Sequence, residues 1–327
     1  MELVKPNLTC LSGEETEIFN QFKSELEEKE KEGKVLFLFR GERLPNIERR
    51  LVKPANKVSV SEIFGRVFVV GEKARQYSEG VVGGEKTYLS TINDVSEGTL
   101  EFIFDSIRNV VSSQKLKNRV KSRLSTDFKT YFNDIHNKRG FVSQITEFNY
   151  ELKLRLRDYY LYILHTAGND GVNKETFFVS TSIRKRIASN FSWNKKNEKR
   201  LIFHYFLPYP FDVHAIAPWM IENQHQVVSD LGLPTYNPIG LFPEQREVSI
   251  KGALFSIFII GVELVTDRLF VVNPNILNLP REVIPFSSFL GIPPSKTSFE
   301  DTIFETAYSG SVTTYLDGSF EDEKFMK

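Results

Sequence analysis

Phe177-Phe178-Val179-Ser180-Thr181-Ser182 is an apolar run that ends in three consecutive hydroxyl residues, and Ile183 to Phe191 follows with Ile183, Ile187 and Phe191 at i, i+4 and i+8. The first half has the length and composition of a buried strand, and the second keeps a helical period. On its N-terminal side, beyond the turn-forming Gly168-Asn169-Asp170-Gly171, residues 95–165 contain no proline and show no strand alternation. Leu100, Phe104, Ile107, Val110 and Val111 recur there at helical spacing, and Phe148, Leu152, Leu154 and Leu161 do so more loosely. Three or four helices are expected. On the C-terminal side, Leu201–Leu207, Glu247–Ile250, Phe255–Val262 and Leu269–Val272 have strand composition, with Pro208, Pro210, Pro218, Pro234, Pro238 and Pro243 punctuating the loops. A helix group set before antiparallel strands defines an α+β chain.

Further out, Val35 to Gly41 is a second continuous apolar run, and it ends in Arg40. Before it, Glu14 to Lys34 mixes acids and bases around Ile18, Phe19, Phe22 and Leu26, which predicts an amphipathic helix capped by Ser12 and stopped by Gly33. The expected organisation is an N-terminal helical extension over 1–34, a main domain over 35–297 with its helical insert at 95–165, and an acidic tail over 298–327 with Glu321, Asp322 and Glu323 near its end.

Composition narrows the classes. The chain has 327 residues, 41% hydrophobic and 26% charged, which is globular and excludes wholesale disorder. Its 42 basic and 42 acidic residues cancel, so a protein that coats polyanions through bulk charge is excluded, although a local basic face is not. The 28 phenylalanines predict a core of large rings. Cys10 stands alone, so a disulfide scaffold and a cysteine zinc site are both unavailable. The apolar run Ala253–Val265 is broken by Ser256, Gly261 and Glu263 and is shorter than the ~20 residues a membrane span needs. Met1 to Pro6 lacks the apolar core of a signal peptide, so a soluble protein made in a reducing compartment is expected, with no membrane partner.

Several familiar sites fail on their spacing. The stretch from Gly80 to Thr87 approaches a phosphate-binding loop, but Glu85 stands where glycine is required, and a carboxylate there repels phosphate. His136, His165, His204, His214 and His225 show no metal-ligand spacing, so no metal is expected. Neither a G-x-S-x-G elbow nor a G-x-G-x-x-G fingerprint is present.

Three short patterns remain, each attached to a strand. Phe39-Arg40-Gly41-Glu42 ends a buried strand in a guanidinium, which needs a fixed anion such as a carboxylate or a phosphate. Ser180-Thr181-Ser182 ends the second strand, and Gln245-Arg246-Glu247 leads into a third. In this order, with about 140 residues between the first and second and 67 from Ser180 to Glu247, the set resembles the mono-ADP-ribosyltransferases of the R-S-E class, in the variant with Gln two residues before the catalytic Glu. The resemblance covers Val35 to Asn46 and Glu175 to about Val272.

That resemblance implies two antiparallel-rich sheets around an NAD cleft. It implies NAD as co-substrate, with Glu247, Gln245 and Ser180 as catalytic residues and Arg40, Gly41, Ser180, Thr181, Ser182 and Phe191 as NAD-binding ones. Glu247 would stabilise charge developing at C1′, Arg40 would pair with a phosphate, Ser180 would hold both in place and Phe191 would lie against nicotinamide. Gln245 would touch the acceptor. It hydrogen-bonds but cannot act as a base, so a side chain other than arginine is expected. Tyr236 and Phe242 are further acceptor contacts on this reading. The basic residues of Arg108–Lys129 and of Arg184–Arg200 keep a nucleic-acid acceptor open beside a protein. The alternatives are NAD hydrolysis, with water as acceptor, and a non-catalytic binding module. Kinship also implies a microbial toxin or effector, acting in its own or a host cytoplasm, with an antidote or immunity protein as partner. Without the resemblance, Arg40 would be a structural ion pair to Glu247, and the hydroxyls would cap the following helix.

Overall fold

The computed structural model describes residues 12–43, 94–168, 177–191, 200–238, 246–252, 254, 258–265 and 269–272. The chain divides into two units, one of Met1–Gly80, Val179–Ala215 and Gln245–Lys327, the other of Val81–Phe178 and Ile216–Glu244.

The first unit is built on the sheet. Its strands are β1 (Val35–Arg43), β2 (Phe178–Ser182), β3 (Arg200–Pro208), β4 (Ala215–Ile216), β5 (Glu247–Lys251), β6 (Ile259–Leu264) and β7 (Leu269–Val272). They are hydrogen-bonded in the order β4-β5-β2-β1-β3-β6-β7. β1 runs antiparallel to β2 and β3, and β6 runs antiparallel to β3 and β7. β1 is buried along Val35–Phe39 on both of its faces, which is why it reads as an unbroken apolar run without alternation.

Helix α1 (Gly13–Lys31) belongs to the same unit and packs on β1. Its start is a capping box, with Ser12 Oγ accepting from Glu15 N–H while the Glu15 carboxylate accepts from Ser12 N–H; a cap of this kind contributes roughly 0.5–2 kcal/mol. Its end is a left-handed turn at Gly33 (φ 70°), with Lys34 N–H returning to the Lys29 carbonyl. Along its length Phe22 meets the Phe206 ring edge-on at 6.0 Å and Phe19 meets Phe270 at 6.1 Å. The charged residues therefore form the outer face of a helix whose other face closes the sheet. Helix α7 (Lys185–Phe191) also packs on β1 and β3.

The second unit is helical. It contains α2 (Glu97–Val111), α3 (Asn118–Lys121), α4 (Thr126–Asn133), α5 (Asn137–Thr146), α6 (Tyr150–Gly168) and α9 (Pro218–Asp230). A short helix, α8 (Phe211–His214), precedes β4. Ser96 and Ser125 cap α2 and α4 by accepting the N–H groups of Thr99 and Phe128. The core is aromatic: Phe104, Phe132, Phe141 and Tyr160 meet one another at centroid distances of 5.1–5.8 Å, each pair adding about 0.5–1.5 kcal/mol beyond simple burial.

The α+β class and the helical stretch agree with the sequence reading, and the differences are specific. The described strands form one connected sheet, where two were expected, because β1 and β3 pair along nine residues each and carry the ladder through to β6. Pro218, expected in a loop, occupies the first turn of the 13-residue α9, where its missing N–H costs no hydrogen bond. The helical stretch holds α2–α6 in place of three or four helices, the extra element being the single-turn α3. The turn at 169–171, the Gly80–Thr87 stretch, Phe242 and the tail lie outside the described residues. Among those residues no helix is long and apolar enough to cross a membrane.

Candidate functional site

The order β5-β2-β1 makes neighbours of the three strands that carry Glu247, Ser180–Ser182 and Arg40. Phe39 lies opposite Ser182 in the β1–β2 register. From the next position Arg40 reaches β2, its Nη1 donating to the Ser180 carbonyl at 2.5 Å. Its Nε donates to Glu42 Oε1 at 3.1 Å, and Nη2 donates to the same oxygen. Glu42 is two residues further along β1, on the side of the strand that Arg40 occupies. Arg40 therefore meets Glu42, and the alternative pairing with Glu247 is not the one formed.

This arrangement uses three of the five N–H groups of the guanidinium. The Arg40 side chain keeps 17% of its surface in solvent while that of Glu42 keeps 5%. Arg40 is thus locked in orientation at a partly exposed position, with two guanidinium N–H groups unused among the described residues. Ser180 positions it through its backbone oxygen, a role that any residue at position 180 could supply. Gly41 continues the ladder opposite Ile202.

β2 is stitched to β5 by two further bonds. Thr181 Oγ1 donates to the Val248 carbonyl at 2.5 Å, and Ile183 N–H donates to the Arg246 carbonyl at 3.2 Å. Thr181 therefore serves the sheet, and Ser182 Oγ accepts the Arg184 N–H at 3.1 Å to turn the chain into α7. Arg246 is a non-glycine residue at φ 46°, a left-handed conformation that costs about 1–3 kcal/mol and is held by its surroundings. That turn delivers Glu247 into β5, where the residue is buried at 2% exposure and accepts from Ser249 Oγ at 3.0 Å. Glu247, Ser249 and Lys251 alternate along β5, all three buried. Lys251 Nζ donates to the Asp212 carbonyl at 2.5 Å.

Near Lys251 lies His214, fully enclosed, with Phe258 at 5.6 Å and neither ring nitrogen hydrogen-bonded among the described residues. Burial, reinforced by the positive charge of Lys251, pushes its pKa down to about 3, so it is a neutral imidazole at neutral pH. Across the sheet His204 Nε2 lies 3.0 Å from Glu263 Oε2, edge-on to Phe39 and Phe270, with Lys185 at 3.6 Å from the same carboxylate oxygen. Burial pushes the Glu263 carboxyl up, but His204 and Lys185 together outweigh it and hold it below the ordinary value. His204 is thus held by Glu263 and two rings, whereas His214 is enclosed with no bond to either nitrogen among the described residues. Among the described residues no group of His, Cys, Asp and Glu is arranged to hold a metal ion.

Of the remaining expectations, Phe191 is 55% exposed at the end of α7. Gln245 lies outside the described residues. Tyr236 is not an exposed acceptor contact. It is buried in the helical unit, where its hydroxyl donates to the Tyr159 carbonyl at 2.6 Å and its ring packs on Phe128. A tyrosine next to prolines in a polar stretch looks exposed in sequence, and only the partner ring on α6 reveals otherwise. Glu42 is the residue that sequence reasoning passed over, although its i, i+2 spacing from Arg40 on a strand was the available signal. No protein-family model, curated protein or solved structure matches the chain.

Proposed function

We propose that the chain is an NAD-dependent mono-ADP-ribosyltransferase that transfers ADP-ribose to a macromolecular acceptor, a protein side chain other than arginine. The observation that carries this reading is the juxtaposition of Arg40, the Ser180–Ser182 strand end and Glu247 on adjacent strands, drawn together from positions far apart in sequence. The resemblance noted in the sequence rests on these same residues.

The chemistry suits the groups present. In the reaction the bond from ribose C1′ to nicotinamide nitrogen breaks, nicotinamide leaves with the electron pair, and the acceptor nucleophile bonds C1′ while losing a proton. Positive charge develops at C1′, as in glycoside hydrolysis. A fixed carboxylate that accepts a ribose hydroxyl stabilises that charge without reorganising, and Glu247, oriented by Ser249 in a water-poor strand, is the residue for it. Arg40, held on two sides by Glu42 and the Ser180 carbonyl, offers its two remaining donors to a phosphate, where the planar fork outperforms lysine.

The test is nicotinamide release from NAD by the purified chain and by Glu247→Ala. The expected loss is at least ~10²-fold in turnover, the usual cost of removing one preorganised electrostatic group, with an unchanged circular dichroism spectrum. Near wild-type turnover in the variant would refute the assignment of Glu247.

A further inference from the structure

In the helical unit a cleft of about 480 Å³ lies among the Ser122–Ser125 loop, the Glu222–His225 face of α9 and the Thr235–Pro238 segment. It is a built feature. Asn237 N–H donates to the Arg123 carbonyl at 2.9 Å, clipping the last segment to the first, and Tyr159 OH meets His225 Nδ1 at 3.0 Å and fixes the imidazole.

The lining is polar in a particular way. Arg123 is half-buried, and its guanidinium has no carboxylate or hydrogen-bond partner among the described residues, so its donors are available to an anion. Ser125 Oγ accepts from Phe128 N–H, which leaves its O–H to donate outward. Thr235 adds another hydroxyl, and His225 is also part of the lining. From Lys115 to Lys129 the sequence carries Lys115, Lys117, Arg119, Lys121, Arg123 and Lys129 against Asp127 alone, so the local field favours negative charge. Glu222 is the one carboxylate in the lining, and it offers an acceptor for a hydroxyl or amino group.

From these features we infer that the cleft is a binding site for a small phosphate monoester that also carries hydroxyl or amino groups, of the size of a mononucleotide or sugar phosphate. An unpaired guanidinium with the Ser125 and Thr235 hydroxyls in the same lining can donate to all three oxygens of a phosphate, against the two of a carboxylate. The volume lies within the small-molecule range and exceeds what a bare phosphate fills. The site is independent of the transferase reading.

Isothermal calorimetry on the full chain tests it with adenosine 5′-monophosphate, ribose 5-phosphate, inorganic phosphate and adenosine as probes. Both esters are expected to bind at one site per chain and more tightly than inorganic phosphate, with adenosine not binding. Arg123→Gln should weaken the esters by about tenfold or more, as should Thr235→Asp, which sets a carboxylate in the same cleft. Arg40→Lys should leave unchanged the ester binding that Arg123→Gln weakens, which separates this site from the one proposed for NAD. Inorganic phosphate binding as tightly as the esters, and still lost in Arg123→Gln, would overturn the larger ligand and leave a simple anion site. Ester binding that follows Arg40, survives both cleft variants or is absent at millimolar concentration would overturn the proposal.

Discussion

His214 makes the stability of the sheet unit depend on pH in a way that can be worked in advance. Its folded pKa is pushed down to about 3, against 6.5 in the unfolded chain. Between these values the unfolded state binds a proton that the folded state excludes, so stability is fully present above roughly pH 7 and is lost as pH falls. With those two values, acidification from pH 7 to pH 5 removes about 2 kcal/mol through this one group. His214→Phe keeps a ring against Phe258 and abolishes the titration. Urea unfolding of both proteins, followed by circular dichroism at pH 7 and pH 5, gives the double difference. Glu263, also held below its ordinary value, titrates in both proteins and cancels. The expected outcome is a variant that loses about 2 kcal/mol less than wild type on acidification. Equal losses would mean that His214 charges within the folded unit, and the reasoning from its enclosure would fail.

Other expectations follow from the clamp and its neighbours. Glu42→Ala leaves Arg40 half-buried without its carboxylate and should cost about 2–4 kcal/mol in urea unfolding, with Glu42→Gln costing less. Thr181→Val removes the bond to the Val248 carbonyl and should cost about 1–2 kcal/mol by the same assay. Arg246→Val puts a β-branched residue at φ 46° and should destabilise by about 1–2 kcal/mol in thermal melts, whereas Arg246→Asn, which tolerates that conformation, should be close to neutral.

Much of this architecture was legible in the sequence because the signals are local. The length and flanks of Val35–Phe39 suit a strand covered on both faces, and Ser12 and Gly33 mark the two ends of α1 through bonds to near neighbours. The adjacency of the three motif strands was not legible in the same sense, since order and spacing along the chain do not specify which strands pair. Two differences from the expected pattern have separate causes. Pro218 is explained locally, since the first turn of a helix needs no N–H from it, whereas Tyr236 depends on a carbonyl of α6 remote in sequence. Glu42 was missed for the opposite reason. Its i, i+2 spacing from Arg40 on a strand already puts the carboxylate beside the guanidinium.

The central claim is tested most directly by incubating the chain with labelled NAD and a cell lysate, beside Glu247→Ala, and then dividing each sample between protease and nuclease. The account predicts label on a macromolecule that is absent with the variant and removed by protease. Label removed by nuclease would keep the transferase and reassign its acceptor to nucleic acid. Free nicotinamide without macromolecular label would contradict transfer in favour of NAD hydrolysis. Neither label nor nicotinamide release would contradict the account altogether.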